Sequence, residues 1–64
     1  MIGGLDKYDR SILKYLLHNP PATTNRIAER VDMSWTTVDR HLKELGKKGF
    51  VIKRNKKWAL QEEV

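Results

Sequence analysis

Three polar side chains, spaced four and three residues apart, are this sequence's best candidates for specific chemistry. At about 100° per residue, Thr36, Arg40 and Lys43 share one face of a helix. An arginine can donate two hydrogen bonds to guanine, and a threonine can bond to a base edge or present its methyl group to thymine. Val38 and Leu42 lie on the opposite, apolar face. The segment therefore predicts a helix that is buried on one side and suited to nucleic acid on the other.

The basic residues are concentrated in the second half of the chain. The whole sequence carries 13 Lys and Arg against 8 Asp and Glu, a net charge of +5. Residues 34–60 hold eight basic and two acidic side chains, whereas residues 1–33 are nearly balanced. This asymmetry favours a surface that faces a polyanion, although a solvated lysine-rich surface would give the same count.

Length and composition exclude several classes of protein. With 64 residues and no cysteine, the chain has room for one small domain held by apolar burial. It has no recognisable Ser–His–Asp set, glycine-rich phosphate loop or metal cluster, so we expect no enzyme, no cofactor and no bound metal. A secretory signal and a run of ~20 apolar residues are also missing. We therefore expect no membrane association and a cytoplasmic, nucleoid-associated protein.

Hydrophobic spacing and capping residues predict the secondary structure. Three helices and one β-hairpin are expected over about residues 6–18, 24–31, 35–45 and 50–60. Asp6 can cap the first helix, Thr23 or Thr24 the second, and Ser34 the third. Between the second and third helices, Asp32 can form a tight turn because aspartate tolerates positive φ. Gly46 or Gly49 can end the third helix.

Two registers are open for the hairpin. The preferred register pairs Ile52 with Trp58 and Phe50 with Leu60, which puts four large apolar groups on one face. A two-residue turn at positions 55 and 56 would instead pair Lys53 with Trp58. Either hairpin must pack on the helices, since an isolated one is marginal in water.

The ordered series of motifs resembles known regulators. Residues 5–52, LDKYDRSILKYLLHNPPATTNRIAERVDMSWTTVDRHLKELGKKGFVI, closely resemble the DNA-binding half of Lrp/AsnC-type transcriptional regulators. The later part, IAERVDMSWTTVDRHLKELGKKGFV, is also similar to the winged-helix core of ArsR- and MarR-type repressors. The resemblance implies a mainly α fold with a small β-hairpin, a three-helix winged helix-turn-helix. In such proteins the third helix enters the major groove and the hairpin is the wing.

The resemblance also implies which residues face DNA. On the third helix they are Ser34, Trp35, Thr36, Thr37, Asp39, Arg40 and Lys43. At the start of the second helix they are Thr23, Thr24 and Asn25, where backbone N–H groups can receive a phosphate. In the wing they are Lys53, Arg54, Asn55, Lys56 and Lys57, which would follow the backbone or enter a minor groove. We expect mostly phosphate contacts there, which position the protein without reading sequence.

Some of these residues have a second interpretation. Asp39 can accept a hydrogen bond from a cytosine amino group, or it can pair with Lys43 one turn later. Trp35 can contact DNA or pack at the edge of the core. A related winged helix that recognises left-handed DNA has an asparagine and a tyrosine at places resembling Asp39 and Lys43, and a proline-rich wing. The residues that carry left-handed recognition are therefore missing here.

We predict a sequence-preferring, double-stranded DNA-binding transcriptional regulator, with a second copy on palindromic sites. The alternative is a winged-helix docking module of a larger assembly, which would more often expose apolar residues on the third helix. The effector-binding domain of Lrp/AsnC proteins has no room in this sequence, so we expect no small-molecule effector.

Overall fold

Three helices precede a two-stranded antiparallel hairpin. A computed structural model describes residues 5–61. Its elements are α1 (Lys7–His18), α2 (Thr24–Val31), α3 (Trp35–Lys47), β1 (Val51–Arg54) and β2 (Lys57–Leu60). This order confirms the predicted one. Within the described range, no helix is both long enough and apolar enough to cross a membrane. The predicted single domain extends over all 64 residues, so its first four and last three lie outside the described range.

Local interactions define both ends of the first helix. The Asp6 carboxylate accepts from the Asp9 backbone N–H at 2.9 Å, and the Asp9 carboxylate accepts from the Asp6 N–H at 3.3 Å. This reciprocal pair is a capping box, which satisfies two backbone donors that the helix itself cannot. At the other end Asn19 is extended, because Pro20 disfavours a helical residue before it.

The turn between α2 and α3 follows the prediction. Thr23, one of the two candidate caps, accepts from the Arg26 backbone N–H at 3.2 Å. Asp32 ends α2 in the left-handed conformation, with φ 59°. Ser34 then caps α3 through the Thr37 N–H at 3.4 Å. These contacts set where the third helix begins relative to the second.

The third helix runs beyond its predicted end near Leu45. It passes through Gly46 and ends at Lys47. Gly49 follows with φ +87°, a conformation that glycine adopts without a steric penalty. The Phe50 N–H donates to the Leu45 carbonyl at 2.9 Å and closes the helix end. Gly49, the second of the two predicted stops, therefore turns the chain into the hairpin.

One apolar core joins all five elements. Its buried members are Ile12, Leu16, Ala22, Ile27, Ala28, Val38, Leu42, Leu45, Val51 and Trp58. Trp58 fastens the hairpin to the loop before α2, since its backbone exchanges hydrogen bonds with Ala22 at 2.7 and 3.1 Å. Its indole N–H also donates to the Thr24 hydroxyl at 3.1 Å. The hairpin is thus part of the core structure.

The preferred hairpin register was wrong. The strands pair Lys53 with Trp58 and Val51 with Leu60, which is the register of the two-residue turn. The turn residues at positions 55 and 56 have φ of 53° and 66°, as expected for the turn whose twist matches that of the strands. The pairs of the preferred register are absent from the two strands, and Ile52 lies opposite Ala59 instead of Trp58.

This change of register reverses the faces predicted for the first strand. Val51, expected on the outer face, is 4% exposed and lies in the core, whereas Phe50, expected on the inner face, is 41% exposed. A shift of one residue moves every side chain of a strand to the other face, because side chains alternate along it. Four large apolar groups on one face favoured the wrong register, and turn geometry decided the right one.

Candidate nucleic-acid interface

A cluster of hydroxyl groups lies at the amino end of α3. Ser34 Oγ donates to Thr37 Oγ1 at 2.9 Å, and it lies 3.4 Å from Thr36 Oγ1. Ser34 and Thr36 are exposed, and Thr37 is half-buried. Backbone N–H groups at a helix start carry partial positive charge and can bind a phosphate. The predicted helix start is therefore exposed and rich in hydrogen-bonding groups.

Arg40 lies one turn further along the same face. Its side chain lines a shallow hollow together with Thr36 and Thr37. Arg40 is exposed, and within residues 5–61 no carboxylate forms an ion pair with it. Its donors are therefore available to an external acceptor, flanked by two hydroxyl groups.

Asp39 and Lys43 form an ion pair along the helix. Lys43 Nζ lies 3.0 Å from Asp39 Oδ2, and the two side chains are 64% and 24% exposed. The structure thus shows the second of the two predicted interpretations of Asp39. A pair this exposed contributes little to stability, but it holds the lysine over the side of the helix.

Trp35 is not covered by the core. Its side chain is 55% exposed at the first position of α3. More than half of Trp35 is therefore in contact with solvent, although the second interpretation placed it at the edge of the core. Its contact with DNA stays a prediction.

The basic wing residues divide between the two faces and the turn of the hairpin. Lys53 shares a face with Trp58, and its Nζ lies 5.4 Å from the centre of the indole ring. Arg54 and Lys57 pair across the strands on the other face, and Lys56 lies in the turn. All four are exposed. The hairpin therefore carries positive charge on both faces and at its tip.

Two threonine hydroxyl groups at the start of α2 form hydrogen bonds within the protein. Thr23 caps the helix, and the Thr24 hydroxyl accepts from the Trp58 indole. Asn25 is exposed. The three predicted phosphate contacts are thus brought together, but Thr24 already has a structural partner.

One important polar contact escaped the sequence analysis. His41 of α3 lies with Nδ1 2.7 Å from Oδ1 of Asp9 in α1, and Asp9 is only 5% exposed. The Tyr8 ring packs against the His41 ring at 5.7 Å between centroids. The available signal was the position of Asp9, which follows the helical spacing of Ile12 and Leu16, because a carboxylate on a core face needs a partner.

Asp6 completes a small polar cluster around this contact. Ligand-type atoms of Asp6, Asp9 and His41 all lie within 4.8 Å of one another. The capping box and the contact between histidine and aspartate account for this grouping without an ion. The Asp9 backbone N–H, by donating to the Asp6 carboxylate, lowers the pKa of Asp6 from its ordinary 3.8.

Comparison with family models identifies the family of this chain. Residues 5–52 match a family described as winged helix-turn-helix DNA-binding. The chain belongs to this family. The predicted winged-helix fold is therefore confirmed, and the chain is a DNA-binding winged-helix domain. A comparison with curated protein sequences finds no match.

Two of the solved structures that are similar to this chain are Zalpha domains. The Zalpha domain of Carassius auratus PKZ, solved in complex with Z-DNA, is 28% identical with a TM-score of 0.80 over 84% of this chain and 92% of its own. The Zalpha domain of Cyprinid Herpesvirus3 ORF112, solved in its binding mode to Z-DNA, is 27% identical with a TM-score of 0.78 over 89% and 98%.

Pseudomonas aeruginosa HmgR is similar over a smaller part of its length. It is 33% identical with a TM-score of 0.79, over 86% of this chain. The winged helix spans only 24% of the HmgR chain. The likeness to HmgR therefore concerns one domain of a longer protein.

Proposed function

We propose that this winged helix is a sequence-preferring transcriptional regulator, with α3 in the major groove of duplex DNA and the wing on the backbone. The exposed Arg40, unpaired with any carboxylate in the described range and flanked by Thr36 and Thr37, is the observation that carries the proposal. A major groove ~12 Å wide admits one helix, and arginine to guanine is the commonest specific contact. The proposed role of these residues is to bind DNA, and we propose no catalytic role for any of them.

The regulatory role draws on family resemblance. The Lrp/AsnC-type and ArsR/MarR-type regulators that the sequence resembles use this helix to read operators. Two copies would occupy half-sites about one helical turn apart on a palindrome. Such a regulator would act at the nucleoid, without a small-molecule effector inside this domain.

The form of the duplex needs a direct test, because two similar structures are complexes with Z-DNA. We propose the right-handed form, since Asp39 and Lys43 pair with each other at the centre of α3. The test is fluorescence anisotropy with a mixed-sequence duplex and with an alternating cytosine–guanine duplex brominated to hold the left-handed form. Tighter binding to the mixed duplex is expected. Preference for the left-handed duplex would replace this part of the proposal.

Arg40→Ala tests sequence reading. A bidentate contact to guanine contributes roughly 1–3 kcal/mol of discrimination, so the variant should bind different duplexes with more nearly equal affinity. Arg10→Ala, which removes the same charge from an exposed site on α1, should keep the discrimination. Equal discrimination by both variants would remove Arg40 from the reading surface.

Lys56→Ala tests the wing. A phosphate contact contributes equally to all sequences, so affinity should fall for every duplex and the slope of log K against log salt should shrink by about 1. No association of the wild-type chain with any duplex at low ionic strength would overturn the proposed function. The chain would then be a docking module.

A further inference from the structure

A second positively charged surface lies between α1 and α2. The groove there, called the α1–α2 groove below, is lined by Lys14, Tyr15 and His18 of α1 and by Arg26 and Arg30 of α2. No residue of α3 or of the hairpin lines it. The groove is therefore distinct from the surface of Thr36, Arg40 and the wing.

The charge of this groove is not neutralised locally. No carboxylate lines it, and within residues 5–61 none forms an ion pair with Lys14, Arg26 or Arg30. Arg26 and Arg30 are one helical turn apart, a spacing at which like charges destabilise a helix slightly. No ion pair within residues 5–61 offsets this repulsion, whereas an anion in the groove would.

The groove lies on the solvent-facing side of α1. Lys14 lies about 200° around α1 from Ile12, which is fully buried. The face of α3 that packs against α1 and α2 is its apolar one, with Val38 and Leu42 buried. The residues that line the α1–α2 groove are also different from those that line the hollows at Arg40. A duplex at Arg40 therefore leaves the lining of the groove available.

We propose that the α1–α2 groove binds the phosphates of a second DNA duplex, so that one chain bridges two duplex segments. The lining offers two arginines, a lysine and a histidine as donors to phosphate oxygens. The charged side chains that line the groove are all basic, which favours a polyanion as the partner. The proposed function supplies the first duplex, and this inference rests on it to that extent.

The experiment measures bridging and single-duplex binding separately on the full chain. One duplex is immobilised on beads, a second carries a fluorophore, and the protein is added at low salt. Single-duplex affinity is measured by anisotropy in parallel. The wild-type chain is expected to retain the fluorescent duplex on the beads in proportion to bound protein.

The deciding variant is Lys14→Glu with Arg30→Glu. Its matched control is Lys7→Glu with Arg10→Glu, which reverses two exposed charges on α1 that line neither the α1–α2 groove nor the hollow of Arg40, Thr36 and Thr37. The groove variant should reduce bridging by at least about tenfold, since two phosphate contacts become repulsive. Its single-duplex affinity should match that of the control, which should still bridge. Circular dichroism would confirm that both are folded.

Three results would overturn the inference. Equal bridging by the groove variant and the control would mean that the two duplexes are held together in another way, such as by association of two chains. Tight single-duplex binding by the wild type without bridging would leave the proposed function intact and remove the second surface. Amide shifts of groove residues with an acidic peptide but not with excess duplex would assign the groove to a protein. Failure of single-duplex binding would instead overturn the proposed function.

Discussion

The two flanks of α3 are held by different chemistry. On one flank, His41 meets the buried Asp9 carboxylate of α1 at 2.7 Å. On the other, Gly46 lies against Val51 and Trp58 of the hairpin. The polar contact is directional, whereas the apolar contact depends on volume. Both flanks fix the helix without using its exposed face, which stays free for a ligand.

The largest expected effect is on the apolar flank. Trp58→Ala should lower the free energy of unfolding by about 3–5 kcal/mol, because it removes the largest core side chain and leaves a cavity. Trp58→Phe, which keeps much of the volume but loses the bond to Thr24, should cost clearly less. Urea denaturation monitored by far-ultraviolet circular dichroism measures both. Equal costs would show that the indole hydrogen bond, and not volume, holds this flank.

The polar flank should contribute less to the free energy of unfolding than the apolar flank. Its two residues should nevertheless be coupled more strongly than those of an exposed ion pair. A double-mutant cycle with Asp9→Ala and His41→Ala should give a coupling energy of about 1.5–3 kcal/mol, the range for hydrogen bonds to charged groups. Asp39→Ala with Lys43→Ala is the control, since that exposed pair should couple by less than about 1 kcal/mol. Additive effects of Asp9 and His41 would mean that their contact does not position α3.

Two glycines near the end of α3 should respond in opposite directions. A methyl group added at Gly46 would lie 3.6 Å from Trp58 Cζ3, an ordinary contact, and the residue is helical. Gly46→Ala should therefore stabilise the chain by about 0.4–1 kcal/mol. Gly49→Ala should destabilise it by roughly 1 kcal/mol because φ is +87°. Thermal unfolding checks both, and a loss of stability for Gly46→Ala would mean that this flank is already overpacked.

The smallest effect concerns the capping box that supports the polar flank. The pKa of Asp6 is lowered from 3.8 in the folded chain. Its carboxylate therefore adds stability above that ordinary value, and the contribution is lost as pH falls through the lowered pKa. Asp6→Asn keeps a good cap but cannot titrate, so its stability should depend less on pH in this acid range. Identical acid profiles for the two proteins would count against the capping contact.

Local sequence patterns accounted for much of the fold. The caps at Asp6 and Ser34 and the left-handed turn at Asp32 were predicted because each depends on neighbouring residues alone. The hairpin register was predicted wrongly, because apolar pairing favoured one solution and the turn favoured another. The end of α3 was predicted near Leu45 with Gly46 or Gly49 as the stop, whereas the helix continues through Gly46 to Lys47 and Gly49 follows it.

The sequence likewise predicted some surface residues and missed others. Helical spacing placed Thr36 and Arg40 on one face, and both are exposed there. The groove of Lys14 and Arg30 was overlooked because its residues come from two helices, and no spacing within one helix brings them together. Only the packing angle between α1 and α2 sets their distance.

The sequence by itself determined the order of the elements, their caps and the polar face of α3, since these follow from spacing and from contacts within a few residues. Tertiary structure alone decided which partner the buried Asp9 would meet and which side of β1 would enter the core. The physical reason is range. Backbone conformation responds to neighbours along the chain, whereas burial depends on surfaces that meet only after the chain has folded.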